Sequence, residues 1–245
     1  MVGSGAGNGG APMTVRNYVL RALCEADRSA LEPELHGIYL ADGEVLFEPD
    51  YPADWVYFPD TAVLSVVTVM SDGRMVESDT VGYESVVGVL AALGSSISTN
   101  RTLVQIAGEA SRVTASVLRR IANDSADFRR LLIRHSQANL AQAHQSVACN
   151  ALHDVNQRLC RWLLMCQDRT AGDVVHLSQQ YLATMVGVQR TTVNQALQRL
   201  ALGGLISQGR RRIEILDRRQ MEAQVCECYE AVRGNLERLI GTAPR

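Results

Sequence analysis

The stretch 177–200, LSQQYLATMVGVQRTTVNQALQRL, holds the residue types with the clearest chemistry. Wound as a helix, its second half sets Arg190, Thr191, Asn194, Gln195 and Gln198 on one side and Val193, Ala196, Leu197 and Leu200 on the other. The polar side is wholly hydrogen-bonding and carries no carboxylate, whereas an ordinary solvated face mixes in Asp and Glu. These side chains suit the edges of base pairs: Arg bonds guanine in bidentate fashion, Asn and Gln suit adenine, and Thr offers a hydroxyl or a methyl. Directly downstream, ALGGLISQGRRRIEI reads as strand, tight turn and strand, with Arg210, Arg211 and Arg212 at the turn, where backbone phosphates are the natural partners. Ser178 stands where an N-cap is wanted, and Gly187 permits the sharp turn between two short helices. The candidate contacts to double-stranded DNA are therefore Ser178, Gln180, Gln189, Arg190, Thr191, Thr192, Asn194, Gln195, Gln198, Arg210, Arg211 and Arg212.

The other reactive side chains are thiols. Six cysteines lie at 24, 149, 160, 166, 226 and 228, without the spacing of a disulfide-framed secreted domain, so a reduced compartment is the simpler reading. Cys226-Glu227-Cys228 alone supplies too few ligands for a closed zinc site, and a cluster would want four thiolates. The sequence thus gives no reason to expect a metal or another cofactor. Cys149 and His153, four apart on a helix, could touch as a nucleophile and base, but neither an acidic orienter nor an oxyanion loop is evident beside them. A Cys/His enzyme is one rival reading and a thiol-responsive regulator is another; the expectation is a non-enzyme.

These residues need elements to hold them. Residues 1–115 carry 6 Arg and 15 Asp or Glu, a balance of -9, whereas residues 116–245 carry 18 Arg and 11 acids, or +7, summing to the overall -2. The chain contains no Lys. An acidic front half and a basic back half direct any polyanion to the back half. Residues 1–13, MVGSGAGNGGAPM, read as a flexible tail without the charged start and apolar run of a signal peptide. No apolar run reaches the ~18 residues that cross a bilayer, so no membrane partner and a cytoplasmic location are expected. Helical spacing from Thr14 to Leu31 gives a leading helix stopped by Pro33. Short β-rich runs follow from Gly37 to about Val113, including a hairpin at Ser71-Asp72-Gly73-Arg74, and argue for a small sandwich or barrel; residues 85–94 could form a short helix on it. Beyond Ser116 the pattern is helical. Leu131, Ala138, Gln145 and Leu152 fall seven apart, and with His135 and Gln142 they read as the seam of a homodimer. A break is expected at Asn150–His153.

The order of leading helix, β-rich domain with its SDGR hairpin, long helix and winged helix-turn-helix resembles the Crp/Fnr family of bacterial transcription regulators, most specifically over Leu177–Ile215. The stretches CNALHDVNQRLCRWLLMCQDR and VCECY resemble a branch whose effector is often undefined. The resemblance implies an α+β chain: a jelly-roll, cyclic-nucleotide-binding-like sensor domain (14–122), a dimerisation helix (123–152), a winged helix-turn-helix domain (153–220) and a C-terminal helical extension (221–245). It implies double-stranded DNA, a second copy of the chain, RNA polymerase and a small-molecule effector as partners. Where the family's recognition helix typically starts R-E-T-V-x-R, this chain has Arg190-Thr191-Thr192-Val193-Asn194-Gln195, so its preferred half-site should differ from the TGTGA-like one. Members that bind cyclic AMP hold it with a G-E-L glutamate and an R-[ST]-A arginine. Here Gly82-Tyr83-Glu84 and Arg101-Thr102-Leu103 alter both signatures, so Glu84, Arg101 and Thr102 are the candidate effector contacts and cyclic AMP is not the expected ligand.

Overall fold

A computed structural model describes residues 16–170, 172–177 and 179–241. The expected tail (1–13), the expected N-cap Ser178 and residues 242–245 lie outside the described residues. Asn17 caps α1 (Tyr18–Arg21): its Oδ1 accepts from the Val19 and Leu20 amides, while its Nδ2 donates to the Pro59 and Ser85 carbonyls, both at 2.9 Å. The leading helix is two helices rather than one. Cys24 is extended (φ -67°, ψ 164°), and α2 (Glu25–Leu31) starts afresh with Glu25 and Asp27 in its first turn, where acids complement the helix dipole.

Two antiparallel sheets follow. One has the order β1-β7-β3, from β1 (His36–Leu40), β3 (Trp55–Pro59) and β7 (Gly108–Thr114); the other has the order β2-β6-β4-β5, from β2 (Val45–Phe47), β4 (Val63–Val69), β5 (Met75–Val81) and β6 (Arg101–Ile106). This is the expected β-roll, and the SDGR segment is the β4–β5 hairpin, closed by the Met70 amide donating to the Arg74 carbonyl at 2.8 Å. The short helix α3 (Val89–Leu93) starts at Gly88, whose φ of 87° brings its Cα so close to β3 that a Cβ would lie 2.5 Å from the Trp55 carbonyl oxygen. Only glycine fits there.

Helix α4 (Ala115–Asp124) leads to α5 (Ala126–Leu152), whose 27 residues span about 40 Å and whose first turn is capped by Ser125. The expected break falls at His153, and α6 (Val155–Arg169) begins with a capping box between Asp154 and Gln157. The C-terminal unit adds β8 (Val174–Val175), α7 (Gln179–Val186), α8 (Arg190–Leu202), β9 (Ile206–Gly209), β10 (Arg212–Ile215) and α9 (Arg218–Gln224), its sheet ordered β8-β10-β9. Finally α10 (Cys228–Ile240) returns to pack along α5.

Two hydrophobic cores result. The first fills the β-roll and takes in Leu118, Phe128, Leu131 and Leu132 from α4 and α5. The second belongs to the C-terminal unit, yet it includes Val67 and Leu103 from the second sheet of the roll. The two units are also joined by polar contacts in buried positions. Trp162 Nε1 donates to Glu77 Oε2 at 2.6 Å, Arg169 Nε to Glu84 Oε1 at 2.7 Å, and Gln105 Nε2 to Cys166 Sγ at 3.0 Å.

Candidate nucleic-acid interface

Helix α7 buries Leu182, Ala183, Met185 and Val186. It ends at Gly187, whose φ of 68° lets the Gly187 and Val188 amides donate back to the Thr184 and Ala183 carbonyls at 3.1 and 3.0 Å. The chain thereby turns sharply into α8. There Val193, Ala196, Leu197 and Leu200 are buried, Arg190, Thr191, Gln195 and Gln198 are exposed, and Thr192 and Asn194 are half-buried. The predicted division of the helix is the observed one. Gln180 and Gln189 are exposed at the starts of α7 and α8, on the same unit. Arg190 makes no hydrogen bond or ion pair among the described residues, so its guanidinium is available at the helix start.

The β9–β10 hairpin places Arg210 and Arg211 at its tip, with Arg211 in the left-handed region (φ 56°). The three wing arginines differ in their engagements. Arg210 is exposed, Arg212 pairs with Glu214 at 2.9 Å, and Arg211 Nη2 pairs with Asp42 Oδ2 of the β1–β2 turn at 2.7 Å. Arg211, an expected phosphate contact, is thus paired with a carboxylate of the N-terminal β domain.

The effector candidates do not converge. Glu84 is buried in an ion pair with Arg169 of α6, both side chains 7% exposed, and its Oε1 also accepts from the Gly82 amide at 3.1 Å. Arg101 donates from Nε to Glu48 Oε2 at 2.9 Å, and Thr102 is buried in β6. A cleft of about 470 Å³ between the roll and the C-terminal helices is lined by Glu84, with Arg16, Tyr83, Arg169, Arg218 and Arg233, but not by Arg101 or Thr102. In this structure Glu84 therefore ties the two units together instead of offering its carboxylate to a ligand.

Most of the expected seam positions on α5 lie inside the chain's own fold. Leu131, His135, Ala138 and Gln142 are all buried in the single chain: Leu131 joins the N-terminal core and the His135 ring lies 6.4 Å from that of Tyr18. Gln142 Nε2 donates to Asp79 Oδ1 and, at 3.0 Å, to the Thr80 carbonyl, because β5 lies directly beneath α5. Gln145 is half-buried and donates to Cys228 Sγ at 3.0 Å. The exposed large apolar residues of α5 are Ile133, Leu140, Val147 and Leu152, which are 45, 56, 68 and 79% exposed; Leu152, the last of the expected seam positions, is thus open at the end of the helix. Burial also perturbs the groups below α5: it pushes the Asp79 carboxyl up to about 8, against the pull of Arg169, and pulls the His135 imidazole down to about 4.

Sequence counting also missed one constellation. Cys149 and His153 at the end of α5 meet Cys226 and Cys228 at the start of α10, with one donor atom from each lying within 4.8 Å of all the others. The i, i+4 spacing of Cys149 and His153 was the available signal; the pairing of two distant segments was not visible.

The profile of the Crp-like helix-turn-helix domain matches residues 157–224, the span that holds α7, α8 and the wing. The chain as a whole has the fold of solved Crp/Fnr regulators. FixK2 from Bradyrhizobium japonicum superimposes with a TM-score of 0.67 at 21% identity over 78% of this chain and 98% of its own. A transcriptional regulator of the Crp/Fnr family from Eubacterium rectale gives 0.67 at 15% identity over 84% of this chain and 96% of its own. The c-di-GMP responsive global regulator CLP of Xanthomonas campestris gives 0.62 at 19% identity over 79% and 100%. No curated protein sequence matches the chain. No helix among the described residues is long and apolar enough to cross a membrane.

Proposed function

We propose that the chain is a homodimeric transcription regulator that reads a two-fold symmetric DNA site through α8, under control of a sensor domain that does not use cyclic AMP. The observation that carries this reading is the exposed, carboxylate-free face of α8, with Arg190 uncommitted at its start. A helix of this kind enters the major groove with its N-terminal residues at base edges, and two such helices in a dimer reach half-sites about 34 Å apart. The second copy is expected on α5. Ile133, Leu140 and Val147 recur every seven residues on the side away from the β-roll, the spacing of a coiled-coil seam. The argument against cyclic AMP is the commitment of Glu84 to Arg169 and of Arg101 to Glu48. A location in the cytoplasm, a contact with RNA polymerase and a role without enzymatic turnover accord with this reading.

The test is affinity across a randomised half-site. Arg190→Ala should weaken binding at its cognate base pair by ~1–3 kcal/mol and relax the preference there. If the sequence preference is unchanged and only the salt dependence moves, α8 is not a reading helix.

A further inference from the structure

Two segments far apart in the chain place three thiols and one imidazole around a common centre. Cys149 lies in the last turn of α5 and His153 caps it; Cys226 and Cys228 flank the turn between α9 and α10. The cysteines are 0, 2 and 1% exposed and form a small cluster separate from both main cores. Cys149 Sγ and Cys226 Sγ are 3.6 Å apart, and Cys228 Sγ lies 3.5 Å from His153 Nδ1. With Zn–S near 2.3 Å and Zn–N near 2.0–2.1 Å, a tetrahedron has edges of roughly 3.8 Å between sulfurs and roughly 3.6 Å between sulfur and nitrogen. These two spacings are close to those edges, and the remaining donor pairs all lie within 4.8 Å. A covalent S–S bond, at about 2.05 Å, is far shorter than the Cys149–Cys226 separation. An iron–sulfur cluster spreads its ligands over several irons and holds them further apart than four donors sharing one ion.

The surroundings fit as well. His153 Nε2 lies 3.2 Å from Glu227 Oε2, so the carboxylate fixes the ring and leaves Nδ1 facing the thiols. Gln145 Nε2 donates to Cys228 Sγ at 3.0 Å, a bond that favours a thiolate. Arg158 and Arg161, both buried, act electrostatically on this group, and each keeps a buried Nε without a hydrogen-bond partner among the described residues. A divalent ion bound by three thiolates has a net charge of -1 and would answer that positive charge.

We propose that Cys149, His153, Cys226 and Cys228 bind one Zn²⁺ in a closed, four-coordinate structural site that fastens α10 to the α5–α6 hinge. Four protein ligands leave no open position for substrate, which makes the site structural rather than catalytic. Binding releases the thiol protons to solvent. Its location matters because His153 ends α5 and Asp154 caps α6, so the ion sits where the long helix hands over to the DNA-binding unit.

The test uses the full-length protein, purified without chelator, and elemental analysis. One zinc per chain is expected, with loss of the metal in Cys149→Ser and Cys226→Ser. Exchange for Co²⁺ should give thiolate charge-transfer and tetrahedral ligand-field bands. His153→Cys should retain the ion and shift those bands, and Glu227→Gln should keep the ion but weaken its affinity about 10–100-fold. Should the serine variants fail to fold, the cobalt spectrum of the unmodified chain decides. The proposal is overturned if the reduced protein takes up no stoichiometric zinc or cobalt, if the metal found is iron with acid-labile sulfide, or if both serine variants fold and keep their zinc.

Discussion

Arg211 cannot hold Asp42 and a DNA phosphate at once, so removing the carboxylate should strengthen DNA binding. The two side chains are 65 and 46% exposed and 2.7 Å apart. A pair so open to water contributes 0–1 kcal/mol, so Asp42→Asn should raise affinity by up to about fivefold, uniformly over sequences, because a phosphate carries no base identity. Arg211→Ala should weaken binding to every site and flatten the slope of log affinity against log salt by about 0.9, one phosphate's share of counterion release. Losing the Asp42 charge also lowers general repulsion of DNA, and the double variant separates the two effects. If the pair is what restrains Arg211, Asp42→Asn adds little in the Arg211→Ala background. Fluorescence anisotropy with a labelled duplex at two salt concentrations measures all four proteins. Competition between Asp42 and DNA is refuted if Asp42→Asn leaves affinity unchanged, or if its gain is undiminished when Arg211 is absent.

Two further outcomes concern α5. Leu140→Asp, at a position 56% exposed, should leave the fold intact by circular dichroism while shifting the protein to monomer in analytical ultracentrifugation; Leu131→Asp, in the core, should lower the melting temperature first, and a Leu140→Asp protein that stays dimeric removes α5 as the seam. Asp79 beneath α5 and His135 on its buried side contribute opposing pH dependences to stability. Asp79, raised from 3.8 to about 8 among Arg169, Glu77 and Glu84, keeps its proton in the folded state after the unfolded chain has lost it, so its contribution falls as pH rises across that interval. His135, lowered from 6.5 to about 4 beside Arg134, binds fewer protons when folded, so its contribution grows with pH between those values. These two contributions offset each other up to about pH 6.5, and their sum falls from there to about 8. Asp79→Asn should reduce that fall by roughly 1.4 kcal/mol per pH unit in urea titrations, and an unaltered slope would show that Asp79 is ionised in the folded protein.

The two-sided pattern of α8 was legible in the sequence because one side of the helix is buried in a core and the other is largely exposed, so the 3.6-residue period separates them. The β-roll was legible for a similar reason, through short β-rich runs bounded by turn residues. Helix α5 misled because it is covered along one side by its own chain. Leu131, Ala138 and Gln145 share the seven-residue repeat of Ile133, Leu140 and Val147, and the positions of β5 and α10, both remote in sequence, decide which residues of α5 face inward. Glu84 was read by its family position, whereas its partner Arg169 comes from a helix 85 residues away, and no local pattern announces that pair. The thiol–imidazole group was hidden in the same way, since each segment alone holds only two of its four members.

The buried bridge between Glu84 and Arg169 bears on how such chains can evolve. Regulators built from a sensing half and a reading half invite exchange of halves between lineages, each exchange pairing an old signal with new targets. This chain resists it. A foreign N-terminal domain lacking an acid at position 84 would leave the enclosed Arg169 guanidinium without its hydrogen-bonded carboxylate, and one lacking Glu77 would strand the Trp162 indole N–H. Breaking a buried pair in this way destabilises a protein by about 3–5 kcal/mol, a large fraction of the stability of a typical domain. The two halves are therefore expected to have been inherited as one unit, with new operators acquired by substitution on the exposed face of α8, where Arg190, Thr191, Gln195 and Gln198 can change without disturbing anything beneath them.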